Sequence, residues 1–175
     1  MQTKEGKQYL FRAIDRTSKL AFAELHPQAT QAIAVEFLRR VLPQIPYKVP
    51  KRLSDNGIQF RNLPPHFHVG RHPVGQLCDE WGIAQRFTKP AHPWTNGQVE
   101  RMNRTVKEAT SKRSHYETRA QLNTHLQTFL QVYNFAKRLK RLHGLTPHEF
   151  IYAEWRKNPD IFIRNPTHHP PGPYS

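Results

Sequence analysis

The sequence predicts an α/β layer in which helices pack on a mixed sheet. Two observations carry that prediction. The apolar period alternates along the chain between two residues and 3.6, giving the order strand, strand, helix, strand, helix, strand, helix, helix. Clusters of Pro, Gly, Asn, Asp and Ser punctuate the changes of period, as they do between packed elements. A chain of 175 residues suits one domain with a real core and a short tail.

The elements follow in order. Lys7 to Leu25 reads as a hairpin, with Tyr9, Leu10, Phe11, Ala13 and Ile14 in one strand and Leu20, Phe22 and Leu25 in the next. Asp15-Arg16-Thr17-Ser18 supplies the turn between them. Arg12 interrupts the first strand and is misplaced if both faces are buried. From Thr30 to Leu42 the spacing is helical, with Ile33, Phe37, Leu38 and Val41 on one side, and Pro43 and Pro46 end the helix. Lys51 to Ser54 is a short strand running into the turn Asp55-Asn56-Gly57. Arg61 to His72 is a loop whose His66, His68 and His72 lack an obvious fourth ligand, so it reads as a solvated basic loop rather than a metal site. Pro73 to Trp81 is a helix with Gly82 past its end, and Ile83 to Phe87 is a strand.

From Thr88 the chain cannot be regular, because Pro90 and Pro93 lack donors and restrict their predecessors. Thr95 or Asn96 then caps a helix, with Gln98 placed as in a capping box. Val99, Met102, Val106 and Ala109 form its apolar stripe, and Glu100, Asn103, Arg104 and Lys107 lie on another face. Glu117 to Leu139 reads as one long helix buried through Leu122, Leu126, Phe129, Leu130, Val132 and Tyr133. Lys137, Arg138, Lys140 and Arg141 follow it, either complementing the helix dipole or forming a phosphate-binding patch. Thr146-Pro147-His148-Glu149 is a capping box that starts a helix to about Trp155. The Pro-rich end of the chain is expected to be disordered.

Charge narrows the partners. Lys and Arg number 27 against 13 Asp and Glu, a formal net charge of +14. Such an excess favours a polyanion, nucleic acid first and an anionic membrane second. No apolar run approaches the ~20 residues that span a bilayer, and the start lacks the pattern of a signal peptide. The single cysteine, Cys78, excludes an internal disulfide or a cysteine-rich zinc site and fits a reducing cytosol.

Two carboxylates stand out. Asp55 ends a strand, where ligands of open α/β sheets are commonly held, and Glu100 starts a helix after a turn-rich loop. Acids from separate elements can share a hard divalent cation, an arrangement suited to phosphodiester attack. The plainer reading of Glu100 is an i,i+4 pair with Arg104 on a solvated helix face.

SDNGIQF at Ser54–Phe60 and KPAHPWTNGQVERMNRT at Lys89–Thr105 resemble the second and third acidic motifs of DDE-type transposases and retroviral-type integrases. YLFRAIDRTSKLAFAEL at Tyr9–Leu25 is similar to the second and third strands of their RNase H-like core. The resemblance covers about Lys7 to Trp155 and is closest to bacterial insertion-sequence transposases. It implies an RNase H-like mixed sheet flanked by helices, missing the first strand and carrying extra C-terminal helices. It divides the chain into a partial catalytic core (7–115), a helical remainder of that core (116–157) and a Pro-rich disordered tail (158–175). It assigns Asp55 and Glu100 as catalytic and metal-binding acids, with Mg²⁺ or Mn²⁺ as cofactor. It assigns Lys89, Asn96, Asn103, Arg104 and Lys107 to DNA, with Trp94 where a polar residue is commoner. It further implies duplex DNA ends and target as partners, homo-oligomerisation when full length, no membrane, and a bacterial cytoplasm with nucleoid association through DNA.

The family's first aspartate precedes Tyr9–Ile14, and MQTKEG contains none, so a truncated core with impaired strand transfer is expected. Asp15 aligns with a turn-stabilising residue rather than a ligand. A non-catalytic DNA-binding remnant and an RNase H-like nuclease with two acids are the open alternatives.

Overall fold

The computed structural model describes residues 1–61, 71–88, 97–110 and 116–168. Its strands are β1 (Gln2–Thr3), β2 (Gly6–Lys7), β3 (Tyr9–Ile14), β4 (Ala21–His26), β5 (Lys51–Ser54) and β6 (Ala84–Phe87). Its helices are α1 (Gln31–Val41), α2 (Pro73–Glu80), α3 (Gly97–Thr110), α4 (Arg119–Gln131) and α5 (Pro147–Lys157). The expected mixed sheet is present in pieces. β1 pairs with β2 and β3 with β4 antiparallel, and β5 pairs with β6 parallel, three separate two-stranded ladders among the described residues.

Alternation along the β3–β4 hairpin builds two cores. Phe11 and Ala13 of β3 and Phe22 of β4 face α1 and α2, joining Ala34, Phe37, Leu38, Val41, Val74, Leu77 and Cys78. Leu10 and Ile14 of β3 and Ala21, Ala23 and Leu25 of β4 face α3 and α4, joining Met102, Val106, Leu122 and Leu126. A strand pair apolar on both faces therefore sits between two helical layers. On the first face the Arg40 guanidinium of α1 reaches the buried Glu24 carboxylate in two bonds of 2.9 and 2.7 Å, which offsets the cost of burying that charge.

Caps place the helices. Thr30 caps α1, accepting from the Ile33 N–H at 3.2 Å. Thr118 with Gln121, and Thr146 with Glu149, form complete capping boxes at α4 and α5. His72 caps α2: its Nδ1 accepts from the Val74 N–H at 3.1 Å, and its Nε2 donates to the Ile58 carbonyl at 3.3 Å. A histidine so engaged is a structural cap, and His66 and His68 lie outside the described residues.

Two expectations are corrected. The helix read as Glu117 to Leu139 is shorter. α4 ends at Gln131 and passes through one π-helical turn, Val132–Ala136, closed by the Lys137 N–H on the Val132 carbonyl at 2.8 Å. Leu139 then turns back to bridge Leu145. The described part of the tail, 158–168, is packed: Phe162 bridges Tyr47 in backbone and stacks on its ring edge at 5.5 Å, so aromatic burial holds what Pro content alone marked as loose.

α4 and its π turn also seal the outer edge of β4. Asn134 accepts from the Ala21 N–H at 3.0 Å and donates to the Ala21 carbonyl at 2.8 Å. Gln127 donates to the Ala23 carbonyl at 3.2 Å, and Arg119 to the Leu25 carbonyl at 2.8 Å. Residues 21, 23 and 25 are the ones whose backbone groups point away from β3, so side chains substitute for a further strand.

Replacing Asn134 with Ala orphans a buried donor and acceptor together and is expected to cost about 2–4 kcal/mol in chemical denaturation; a loss under about 0.5 kcal/mol would remove the edge seal from the stability argument. A pH dependence follows from His72. Burial depresses its folded-state affinity for a proton, with Arg52 adding to the effect and the Ile58 bond opposing it. The unfolded chain takes up its proton first, near the ordinary histidine value of about 6.5, so this contribution is complete above that pH and lost as pH falls below it. Unfolding curves at pH 7.5, 6.5 and 5.5 should show a shallower decline in His72→Asn, which keeps a capping acceptor without titrating. Equal declines in both proteins would exclude His72 as a source.

Candidate functional site

Asp55 stands immediately beyond β5, where the parallel β5–β6 ladder ends at Ser54 and Phe87. The turn is built locally. The Gly57 N–H donates to Asp55 Oδ1 at 3.1 Å, an Asx-turn, and the Phe60 and Arg61 N–H groups close on the Gly57 carbonyl at 2.8 and 3.1 Å. Asn56 Nδ2 donates to the Thr88 carbonyl at 2.9 Å, and Arg61 donates to Asn56 Oδ1 at 2.9 Å. Asn56 thus locks the turn after β5 to the exit of β6 and leaves Asp55 exposed at the rim.

Glu100 lies in the first turn of α3, where a carboxylate complements the helix dipole. Met102 and Val106 are buried against α4 and the hairpin. That anchoring turns Glu100 and Arg104, each two residues from a buried position, to the exposed side. Asn103 and Lys107 occupy the same helix, but their side chains, like all of Lys89 and Asn96, lie outside the described residues.

Arg12 joins the two acids. It sits on β3 between Leu10 and Ile14, on the α3 side of the hairpin. Burial pulls its guanidinium below the ordinary arginine range, while Asp55 and Glu100 both oppose that pull. One cation therefore feels both carboxylates, one from the end of β5 and one from the start of α3. The residue that broke the strand pattern in the sequence is the one that reports the site. Its Nε is buried with no hydrogen-bond partner among the described residues.

Exposed carboxylate oxygens on two elements are the hard donors that Mg²⁺ and Mn²⁺ take, commonly one or two acids with water and phosphate completing the shell. The two acids fit such an ion. A third is not found: no group of three or more His, Cys, Asp or Glu side chains forms among the described residues. Asp15 is committed elsewhere. Its Oδ2 accepts from the Ser18 N–H and hydroxyl, both at 2.6 Å, and from the Tyr47 hydroxyl at 2.8 Å. Burial, reinforced by Asp15, drives the Tyr47 phenol far above its ordinary range, so it remains a donor to that carboxylate.

The basic residues divide. Arg138 donates to the Gly144 carbonyl at 3.0 Å and pairs with Glu149 at 3.3 Å, closing the turn before α5. Burial lowers the proton affinity of the Lys19 ammonium, Asp15 opposes that shift, and Arg141 and Arg16 add to it, so the hairpin tip and the turn after α4 share one electrostatic neighbourhood. Its members are over 120 residues apart, as Lys19 and Arg141 stand in the sequence, and no local signal announced it.

Comparison with known proteins places this geometry. Residues 81–147 match the integrase core domain family. The Gag-Pol polyprotein of woolly monkey sarcoma virus is 31% identical over 156 residues, spanning 85% of this chain and 8% of that polyprotein. That of gibbon ape leukemia virus is 32% identical over 153 residues, with the same shares of 85% and 8%. The chain therefore spans less than a tenth of the length of these two relatives. The crystal structure of the catalytic core domain of BIV integrase superposes with a TM-score of 0.66 over 90% of this chain and 93% of that one, at 24% identity. A simian T-cell lymphotropic virus intasome, solved with a PP2A regulatory subunit, gives 0.63 over 79% and 46% at 19%. The fold is that of a retroviral integrase catalytic core. These relatives are retroviral and lend no support to the bacterial, nucleoid-associated setting that the sequence motifs suggested. No helix among the described residues is long and apolar enough to cross a membrane.

Proposed function

We propose that this integrase core-like chain binds duplex DNA and a divalent cation for phosphodiester cleavage and strand transfer, with a reaction centre built on the two acids found among the described residues. The observation that carries the reading is that the charges of Asp55, just past β5, and Glu100, at the start of α3, both act on Arg12 of β3. When bound, Mg²⁺ or Mn²⁺ supplies Lewis-acid activation of a water or 3′-hydroxyl and neutralises charge developing on the phosphate. Asp55 and Glu100 hold that ion through carboxylate oxygens. Arg12 draws both carboxylates toward one locus and keeps like charges together at modest cost. Arg104, Lys107 and Lys89 position the DNA backbone, aided by Asn96 and Asn103, and this reads phosphate more than sequence. The net charge of +14 supports a polyanionic partner. In this reading the partners are DNA ends and target, and the working form is a homo-oligomer.

A second reading, DNA binding without catalysis, is favoured by the commitment of Asp15 to Ser18 and Tyr47, which removes the nearest candidate for a third acid in the hairpin.

Calorimetric titration with Mn²⁺ separates the two. Asp55→Asn and Glu100→Gln should each weaken Mn²⁺ binding about tenfold or more, equivalent to ~1.4 kcal/mol, with the fold intact by circular dichroism. Equal affinity in the parent and both variants would sink the metal assignment and leave the DNA-binding reading. For the nucleic acid, log affinity for duplex DNA should fall linearly with log salt, by ~0.9 per neutralised phosphate. Lys107→Ala should flatten that slope by about one unit, and an unchanged slope would take Lys107 out of the interface.

A further inference from the structure

The basic stretch after α4 takes no part in the acid site. Of its cations, Arg138 is held by the Gly144 carbonyl and Glu149, and Lys137 lies over the Tyr133 ring at 5.9 Å. Lys140 and Arg141 are exposed on the single 3₁₀ turn Lys140–Leu142, and neither enters an ion pair among the described residues.

The fold pins this stretch to the tip of the β3–β4 hairpin. Asn134, three residues before Lys137, exchanges two bonds with the backbone of Ala21, at 3.0 and 2.8 Å. Ala21 begins β4 two residues after Lys19. The tip is itself constrained. The Asp15 N–H bonds the Leu20 carbonyl at 2.9 Å, and the Lys19 N–H bonds the Asp15 carbonyl at 3.0 Å. Lys19 sits in the left-handed region at φ 64°, which a lysine keeps only where its surroundings hold it. Its Nζ donates to the Arg16 carbonyl, so the ammonium stays over the turn that carries the exposed Arg16.

The charge gathered there is not balanced from within. Burial disfavours the Lys19 ammonium, Arg141 and Arg16 add to that effect, and Asp15 alone opposes it. The Asp15 Oδ2 already accepts two bonds from Ser18 and one from Tyr47. Asp55 and Glu100, which act on Arg12, are not among the charges acting on Lys19. The tip also lies beyond Ile14↔Ala21, the last pair of the ladder, with Arg12 two positions back along β3. Like charges held together at a locus apart from the two acids are offset by an external anion.

The chemistry selects a phosphate backbone. Two guanidinium groups offer forked donors that match phosphate oxygens, and cations spread over two elements suit a line of charges better than one small ion. The exposed aromatic residues, Tyr9, Trp81 and Tyr152, stand elsewhere: Tyr9 is at the far end of β3, and the others are on different elements. Among the described residues the cluster therefore lacks an exposed ring on which an unpaired base could stack, which favours a duplex over a single strand.

We propose that Arg16, Lys19, Lys140 and Arg141 form a second nucleic-acid contact, which holds the phosphates of duplex DNA away from Asp55 and Glu100. This rests on the proposed function for the class of partner alone, and needs neither a metal ion nor the cations of α3. Such a contact adds affinity without reading sequence.

The test is anisotropy with a fluorescent duplex of random sequence, in EDTA, over a salt series. Arg16→Ala and Arg141→Ala should each flatten the slope of log affinity against log salt by about one unit, and the double variant by about two. Arg16→Lys and Arg141→Lys keep the charge and should keep the slope. Arg156→Ala, an exposed position in the last turn of α5, should leave the slope as in the parent. An unchanged slope in the double variant overturns the proposal. Equal flattening by Arg156→Ala overturns it too, since the contact would then be diffuse. So does poly-glutamate competing as well as unlabelled duplex of equal charge, because the partner would then be an acidic protein surface. Flattening by Lys107→Ala but not by the double variant removes this contact and leaves the α3 interface; the reverse result removes the α3 interface and sustains this contact.

Discussion

Two-sided burial of the β3–β4 hairpin is the constraint on which the rest of the chain depends. Its odd and even residues serve different cores, so neither helical layer can be shifted without exposing the other. That requirement fixes α3 through Met102 and Val106, and the position of α3 fixes where Glu100 emerges. The same alternation puts Arg12 on the α3 face among apolar neighbours. A guanidinium there is expensive to bury unless anions lie within reach. Asp55 and Glu100 provide them, so core register and site electrostatics are set by one strand.

The candidate site shows how far a strand end can be organised without a ligand. Asn56 bonds Thr88 and takes a bond from Arg61, so the turn after β5 is held from the neighbouring strand rather than from within. Among the described residues this leaves Asp55 with a single Asx bond, an exposed acid held in place at the strand end. The hairpin turn makes the opposite choice. Asp15 has the same residue type, also at a strand end, yet Ser18 and Tyr47 absorb its Oδ2. The contrast between the two aspartates lies in their partners.

Much of this was legible in the sequence, and the exceptions share a cause. The hairpin, α1, β5 with its Asp-Asn-Gly turn, α2 and β6 follow from local period and turn chemistry, and the Thr146 capping box from four adjacent residues. The motif resemblance pointed to the integrase core, though toward its bacterial members. What escaped was set by distant partners. α4 stops early because its π turn presents Asn134 to a strand 113 residues away, and Gln127 serves the same edge across 104. Nothing within a helical window encodes those bonds. Arg12 was visible only as a misfit, because its meaning lies in acids on two other elements. The tail was misjudged because Pro content says nothing of Phe162 seated against Tyr47.

The sealed edge of β4 has a consequence for how this chain behaves when crowded. Fibrillar growth by strand stacking needs every unit to offer two free edges, one to be captured and one to capture the next. On the β4 flank, Asn134, Gln127 and Arg119 already engage the Ala21 N–H and the Ala21, Ala23 and Leu25 carbonyls, groups that a neighbour would require. A copy meeting the hairpin from that side must displace three side chains, so the β3–β4 ladder is a poor template for sheet propagation on that flank.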